Sequence, residues 1–394
     1  MNTKLERNLK LMMLQSIFLE PLFWGPILIL TLQNLAYMKL EDIYLQESIC
    51  VVLCLVIDIP TGALADIMGR KKMLVIGQIL GFADFMIFAF MSEPWHTWVA
   101  NILWAIGAAF RSGADKALIQ ESCIALGKDR GYYRTYAGKA SGLRFLMFAI
   151  AAPVTSYIAE YNLRLPLMLC IPFLAIPLVC VFMLTEPPRD DVRELTVKQH
   201  VLQMKEGIRD TYRNKRILWI MLYLCVVTAV SKIWFFAYNP YFEHVGLPVR
   251  YFGWIFLTLN VVAWLTSQYG RKVEAALGDK LVVKLLIPLI GVPIILMSAI
   301  PIPAMAFLVI FQNIVRGMNA PFFDSMSEQY LRSSTRATVL SVQSSVTSAM
   351  GSVCLLGFSF LIKPAGLLAS MCTLGALTLI AYMVLMKYWK KCFE

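Results

Sequence analysis

The stretch Asp58-Ile-Pro-Thr-Gly-Ala-Leu-Ala-Asp-Ile-Met-Gly-Arg-Lys-Lys72 decides how the rest of the chain is read. It is a short polar, basic turn that closes one long apolar run and opens another. Gly62 and Gly69 permit close helix approach and a tight turn. Asp66 is a carboxylate placed where Arg70 or a helix terminus could hold it. The runs on either side are long enough to cross a bilayer, which takes about 20 apolar residues.

Composition agrees along all 394 residues: 59% are hydrophobic and only 15% charged, and the mean hydropathy is +0.66. A soluble domain carries about 25% charge, and a disordered chain needs low hydrophobicity, so both classes are excluded. The formal charge of +11 does not point to nucleic acid. The bases lie in short loops between apolar runs and not on a soluble face interleaved with exposed aromatics. The nine cysteines have no paired metal-ligand spacing and read as small hydrophobes within helices. The first apolar run is too long for the core of a cleavable signal, and no small-residue cleavage site follows it.

Apolar windows fall near 11–33, 45–66, 73–91, 97–124, 134–159, 163–185, 216–241, 250–273, 281–299, 303–328, 337–362 and 365–388. The expected fold is therefore all-α, with 12 transmembrane helices. One set of loops, together with both termini, holds 26 Lys and Arg, and the opposite set holds four: Lys39, Arg164, Arg250 and Lys363. The positive-inside rule then places both termini in the cytoplasm. The longest polar stretch, 186–215, divides the spans six and six. The expected domains are an N-terminal six-helix bundle over 1–185, a cytoplasmic linker over 186–215 and a C-terminal six-helix bundle over 216–394. Leu195 to Tyr212 alternates apolar and charged residues with helical rhythm, as a solvated or surface-lying linker helix would.

The segment from Gly62 resembles the G-x-L-x-D-x-x-G-R-[KR] signature of the major facilitator superfamily, with Gly62, Asp66, Gly69, Arg70 and Lys71 all matching. Ser112-Gly113-Ala114-Asp115-Lys116-Ala117-Leu118-Ile119, Pro60-Thr61-Gly62 and Arg336-Ala337-Thr338 are similar to stretches of its bacterial carriers. The resemblance implies two pseudo-symmetric six-helix bundles and a monomer in the cell inner membrane that moves a small molecule without a cofactor. It also implies that the Gly62–Lys71 loop acts as a conformational latch. A second copy should follow span 8, where Gly278 and Lys280 stand 209 residues after Gly69 and Lys71 in Gly270-Arg271-Lys272-Val273-Glu274-Ala275-Ala276-Leu277-Gly278-Asp279-Lys280. Its central Asp and Arg are absent. The Arg-x-x-x-Gly and Gly-Pro-x-x-Gly-Gly patterns of drug/proton antiporters are also missing, since span 5 reads Ala151-Ala152-Pro153-Val154-Thr155-Ser156.

Ionisable residues in a membrane cost at least about 2.5–3.5 kcal/mol each at mid-depth, so they face a partner or a wet cavity. In this family, spans 1, 4, 7 and 10 line the cavity, and here they carry Glu20, Arg111, Lys232 and Arg316. Arg111 and Asp115 stand four apart, so one helix face could hold both and let them neutralise each other. Arg144, Tyr238 and Asn313 complete the expected substrate-binding set. The balance Arg144, Lys232 and Arg316 against Glu20 favours an anionic or zwitterionic solute, such as an organic acid, an amino acid or a carboxylate siderophore, because Arg grips carboxylates bidentately.

No phosphate-binding loop is present, so a proton gradient is the expected driving force. Glu20, Asp58 and Asp115 are the candidate coupling carboxylates. Asp84 is a further intramembrane acid, expected to face a neighbouring helix. His96, His200 and His244 form no catalytic or metal constellation, so an enzyme is not expected. The rival readings are a multidrug antiporter and a non-transporting receptor or assembly protein on a carrier fold.

Overall fold

The computed structural model describes residues 2–128, 130–188, 209, 211–212, 214–331 and 336–393. The expected linker helix over 195–212 lies almost wholly outside the described residues. Among the described residues the chain is helical, with no strand. The helices are α1 (Asn2–Phe18), α2 (Leu28–Leu35), α3 (Leu40–Met68), α4 (Arg70–Ala89), α5 (Pro94–Arg111), α6 (Ala114–Ala125), α7 (Arg130–Tyr161), α8 (Arg164–Met183), α9 (Lys215–His244), α10 (Phe252–Leu277), α11 (Asp279–Leu286), α12 (Pro288–Ala299), α13 (Val309–Glu328) and α14 (Arg336–Phe393). Helix α14 is continuous except at Gly366, where φ is 74°. Among the described residues, seven helices are long and apolar enough to cross a membrane.

Several expected spans are interrupted, for local reasons. The window 11–33 is α1, an irregular turn and α2. Two prolines, Pro21 and Pro26, remove backbone donors there, and the residue before a proline is pushed out of helical geometry. The Phe23 amide is satisfied by Cys170 Sγ at 3.2 Å. Phe18 and Phe23 pack on Phe173, and Trp24 packs on Phe85 and Phe88. The window 97–124 breaks between α5 and α6, where Gly113 adopts φ 74°, a conformation other residues resist.

The chain forms two compact units. One comprises residues 1–38 and 50–200, the other 39–49 and 201–394. In the first, α1 packs on α6, α7 and α8, and α4 packs on α5, α6 and α8. Met12, Ala65, Met73, Leu74, Ala114, Leu118, Val181 and Leu184 form a shared apolar core there. In the second, α9 packs on α14, α10 on α13 and α12 on α14. The first residues of α3 are fixed within this unit. Tyr44 Oη donates to the Ile233 carbonyl at 2.9 Å, and the Ser48 and Ser352 hydroxyls each donate to the other's carbonyl at 2.9 and 2.8 Å.

Candidate functional site

The first unit collects six of the expected intramembrane charges, Glu20, Asp58, Asp84, Arg111, Asp115 and Arg144. Glu20 sits in the break between α1 and α2, exposed, and its Oε1 lies 3.6 Å from Arg144 Nη1 on α7. Arg111 is the last residue of α5. Its side chain runs across α4 over Gly77 and Gly81, and Nη1 donates to the Gly77 carbonyl at 2.8 Å. Helices α4 and α5 approach closely because Gly77 meets Gly107: a Cβ on Gly77 would stand 2.7 Å from the Gly107 carbonyl oxygen and 2.7 Å from Arg111 Cγ. The carboxylate with the strongest pull on Arg111 is Asp84, followed by Asp115 and Glu20.

The expected Arg111–Asp115 pairing on one helix face is corrected. The break at Ser112–Gly113 puts the two residues on different helices, α5 and α6. Asp115 Oδ1 instead accepts from the Lys116 amide at 2.7 Å. Ser112, inside the break, lies within interaction range of the Asp58 carboxylate from α3.

In the second unit, Lys232 on α9 meets Glu47 on α3, with Nζ 2.8 Å from Oε1. Glu47 is not among the charges expected from the sequence, although it lies within the second apolar window. Tyr238 and Asn313 are buried, and with Gln312 they satisfy one another. Tyr238 Oη donates to Gln312 Oε1. Asn313 Nδ2 donates to Tyr238 Oη at 3.3 Å and to Gln312 Oε1 at 3.1 Å. Gln312 Nε2 reaches the Ser231 carbonyl at 3.3 Å. Arg316 stands one turn further along α13, exposed, with no ion pair among the described residues.

The Gly69–Lys71 turn is stitched into the first unit. Gly69 has φ 101° and ψ 148°, a region essentially restricted to glycine. Glu186, at the end of the sixth expected span, accepts from the Arg70 amide at 2.7 Å and the Lys71 amide at 2.8 Å. This caps the start of α4 where the helix dipole favours an anion. Arg70 Nε contacts Glu121 Oε1 at 3.3 Å. The side-chain positions at Gly62 and Asp66 lie outside the described residues. In the second unit, Gly278 joins α10 to α11 with φ 75° and ψ 152°, nearly the geometry of Gly69. The spacing of 209 residues therefore matches two similar backbone junctions, although the second lacks the acidic and basic side chains of the first.

Among the described residues, no cluster of His, Cys, Asp or Glu could hold a metal ion. Residues 45–353 match the family model of the Major Facilitator Superfamily. The chain belongs to the major facilitator superfamily. An uncharacterized MFS-type transporter, YxaM, of Bacillus subtilis (strain 168) is 24% identical over 262 residues, 64% of this chain and 63% of that relative. The chain thus spans under two thirds of that relative's length. The nucleoside transporter NupG superposes with a TM-score of 0.76 at 15% identity, covering 98% of this chain and 99% of its own. A bacterial homolog of the human lysosomal transporter Spinster gives 0.75 at 13% identity, covering 99% and 98%. These likenesses are of fold. As a facilitator-superfamily protein, the chain is a multi-pass membrane protein.

Proposed function

We propose that this transporter moves a small carboxylate-bearing solute, anionic or zwitterionic, across the cell inner membrane by proton-coupled alternating access. Both termini face the cytoplasm, and the two bundles over 1–185 and 216–394 are joined by the linker 186–215. The observation that carries the solute class is Arg316. It is exposed on a membrane helix and has no carboxylate partner among the described residues. A guanidinium facing acyl chains would be costly, so it faces water or a ligand. Its fork matches a carboxylate bidentately. The buried Tyr238–Gln312–Asn313 cluster one turn away holds the helix surface around it in place.

The other cations are more constrained. Glu47 neutralises Lys232, Glu20 lies beside Arg144, and Arg111 is bonded to a carbonyl. Lys232 and Arg144 serve the solute once those partners let go. Asp58 lies beside Ser112 and Asp115 accepts from the Lys116 amide, while Glu20, with 54% of its side chain exposed, is the coupling carboxylate best placed to exchange with water.

Thermal-shift screening of the purified protein against small mono- and dicarboxylates and amino acids tests this reading. At least one carboxylate should stabilise the wild type and lose that effect in Arg316→Ala. Equal stabilisation of wild type and Arg316→Ala would refute the assignment. Flux of the hit into proteoliposomes separates a carrier from a receptor, and response to lipophilic cations instead would favour a drug exporter.

A further inference from the structure

Gly77, Gly81 and Asp84 follow one another on α4 at spacings of four and three, and so share a helix face. That face holds the Arg111 side chain. Asp84 is buried, 8% exposed, and its Oδ2 is shut away from solvent without a hydrogen-bond partner. Arg111 is the charge that acts on it, yet the two make no ion pair within contact distance. The guanidinium is bonded to the Gly77 carbonyl instead. An ionised carboxylate with an orphaned oxygen in a low-dielectric site is costly unless a cation or a proton comes to it.

We infer that Asp84 is a proton-binding site of the transport cycle, exchanging one proton with water as Arg111 shifts between the Gly77 carbonyl and the Asp84 carboxylate. With Asp84 as the neutral acid, Arg111 rests on Gly77. When the proton leaves to water, the new carboxylate draws the guanidinium along the groove past Gly81. Arg111 is the last residue of α5, so this movement acts directly on the Ser112–Gly113 break.

The other groups around Asp84 permit this. From α5 come Arg111 and, at the far end, His96, which contacts the Glu93 carbonyl. Helix α6 brings Asp115, within electrostatic reach of Arg111, and Lys116. It also brings Glu121, which is held by Arg70. Helix α8 brings Cys170, Cys180 and Arg164, whose Nη1 and Nη2 are bonded to the Ala89 and Met91 carbonyls. Glu20 adds its charge from the α1–α2 break.

The inference rests on the proton-coupled reading for its meaning, but its test contains no solute, so either can fail alone. The full chain in lipid nanodiscs is titrated by infrared difference spectroscopy in the carbonyl-stretch region of protonated carboxyls. A protonated-acid band should fade as pH rises, disappear in Asp84→Asn, and persist to more alkaline pH in Arg111→Gln. Asp84→Glu keeps the acid and should shift the band in frequency, which covers the case of Asp84→Asn failing to fold. A band that is unchanged in both Asp84 variants, or no pH-dependent band at all, overturns the assignment.

Discussion

Replacing Gly81 by alanine tests the placement of Arg111 over α4. A Cβ built there overlaps Nη1 of Arg111, and its three nearest neighbours are all guanidinium atoms of that one residue. The guanidinium must leave, and with it the charged hydrogen bond to the Gly77 carbonyl, worth about 1.5–3 kcal/mol. Alanine returns about 0.5–1 kcal/mol over glycine within a helix, so the net cost is roughly 1–2 kcal/mol. Gly77→Ala is different in kind. Its Cβ would stand 2.7 Å from a backbone oxygen, that of Gly107, where an unstrained contact between carbon atoms is about 3.5–4.0 Å. Two helices must then move apart, at about 1–3 kcal/mol.

The two sites separate in an Arg111→Ala background. There Gly81→Ala should become neutral or stabilising, while Gly77→Ala should keep most of its cost. Unfolding of the single and double variants in detergent, followed by circular dichroism, gives the coupling energies. A Gly81→Ala penalty of equal size with and without Arg111 would show that the guanidinium does not occupy the groove.

Glu186→Ala should remove the cap on α4, cost about 0.5–2 kcal/mol and speed hydrogen exchange at the Arg70 and Lys71 amides; unchanged exchange there would refute the cap. Gly278→Ala should destabilise by about 1–3 kcal/mol through its positive φ. Gly351→Ala, in a helix with open space around it, should be neutral or better; thermal melts compare the two. Glu47→Gln leaves Lys232 without its partner. It should destabilise by less than the ~3–5 kcal/mol of a fully buried pair, because 34% of the Lys232 side chain is exposed. Adding Lys232→Met should recover the loss in the same melt.

The fold was legible because membrane residence leaves few options: apolar windows had to be helices, since every backbone group must be satisfied within the segment. The Gly62–Lys71 signature then named the family. Charges were legible as a list, because an ion in an apolar window stands out. Their partners were not. Glu20–Arg144 joins the α1–α2 break to α7, and Glu47–Lys232 joins α3 to α9; which faces meet depends on helix rotation, which hydropathy does not specify. Asp84 stood in that list, but its nearness to Arg111 did not: only the glycine face of α4 brings Arg111 to it. The signal was nonetheless present, since Gly77, Gly81 and Gly107 are small residues at spacings that let helices touch.

The two helix breaks were also readable in part. Glu20-Pro21 followed by Gly25-Pro26 contains two missing donors, and Ser112-Gly113 pairs a residue that bonds backbone with one that tolerates positive φ. Treating each hydropathy window as one straight helix concealed both. The break at Ser112–Gly113 also explains why Arg111 is available at all. In an unbroken helix, Arg111 and Asp115 would have been neighbours and neutralised each other. Interrupted, each charge takes the helix end that suits it. Arg111 lies in the last turn of α5, where carbonyls favour a cation, and Asp115 lies in the first turn of α6, where amides favour an anion. Each is stabilised by its own helix terminus, so neither depends on the other. The guanidinium is then free to answer to a third group, and among the acids within its reach the buried one on α4 acts on it most strongly.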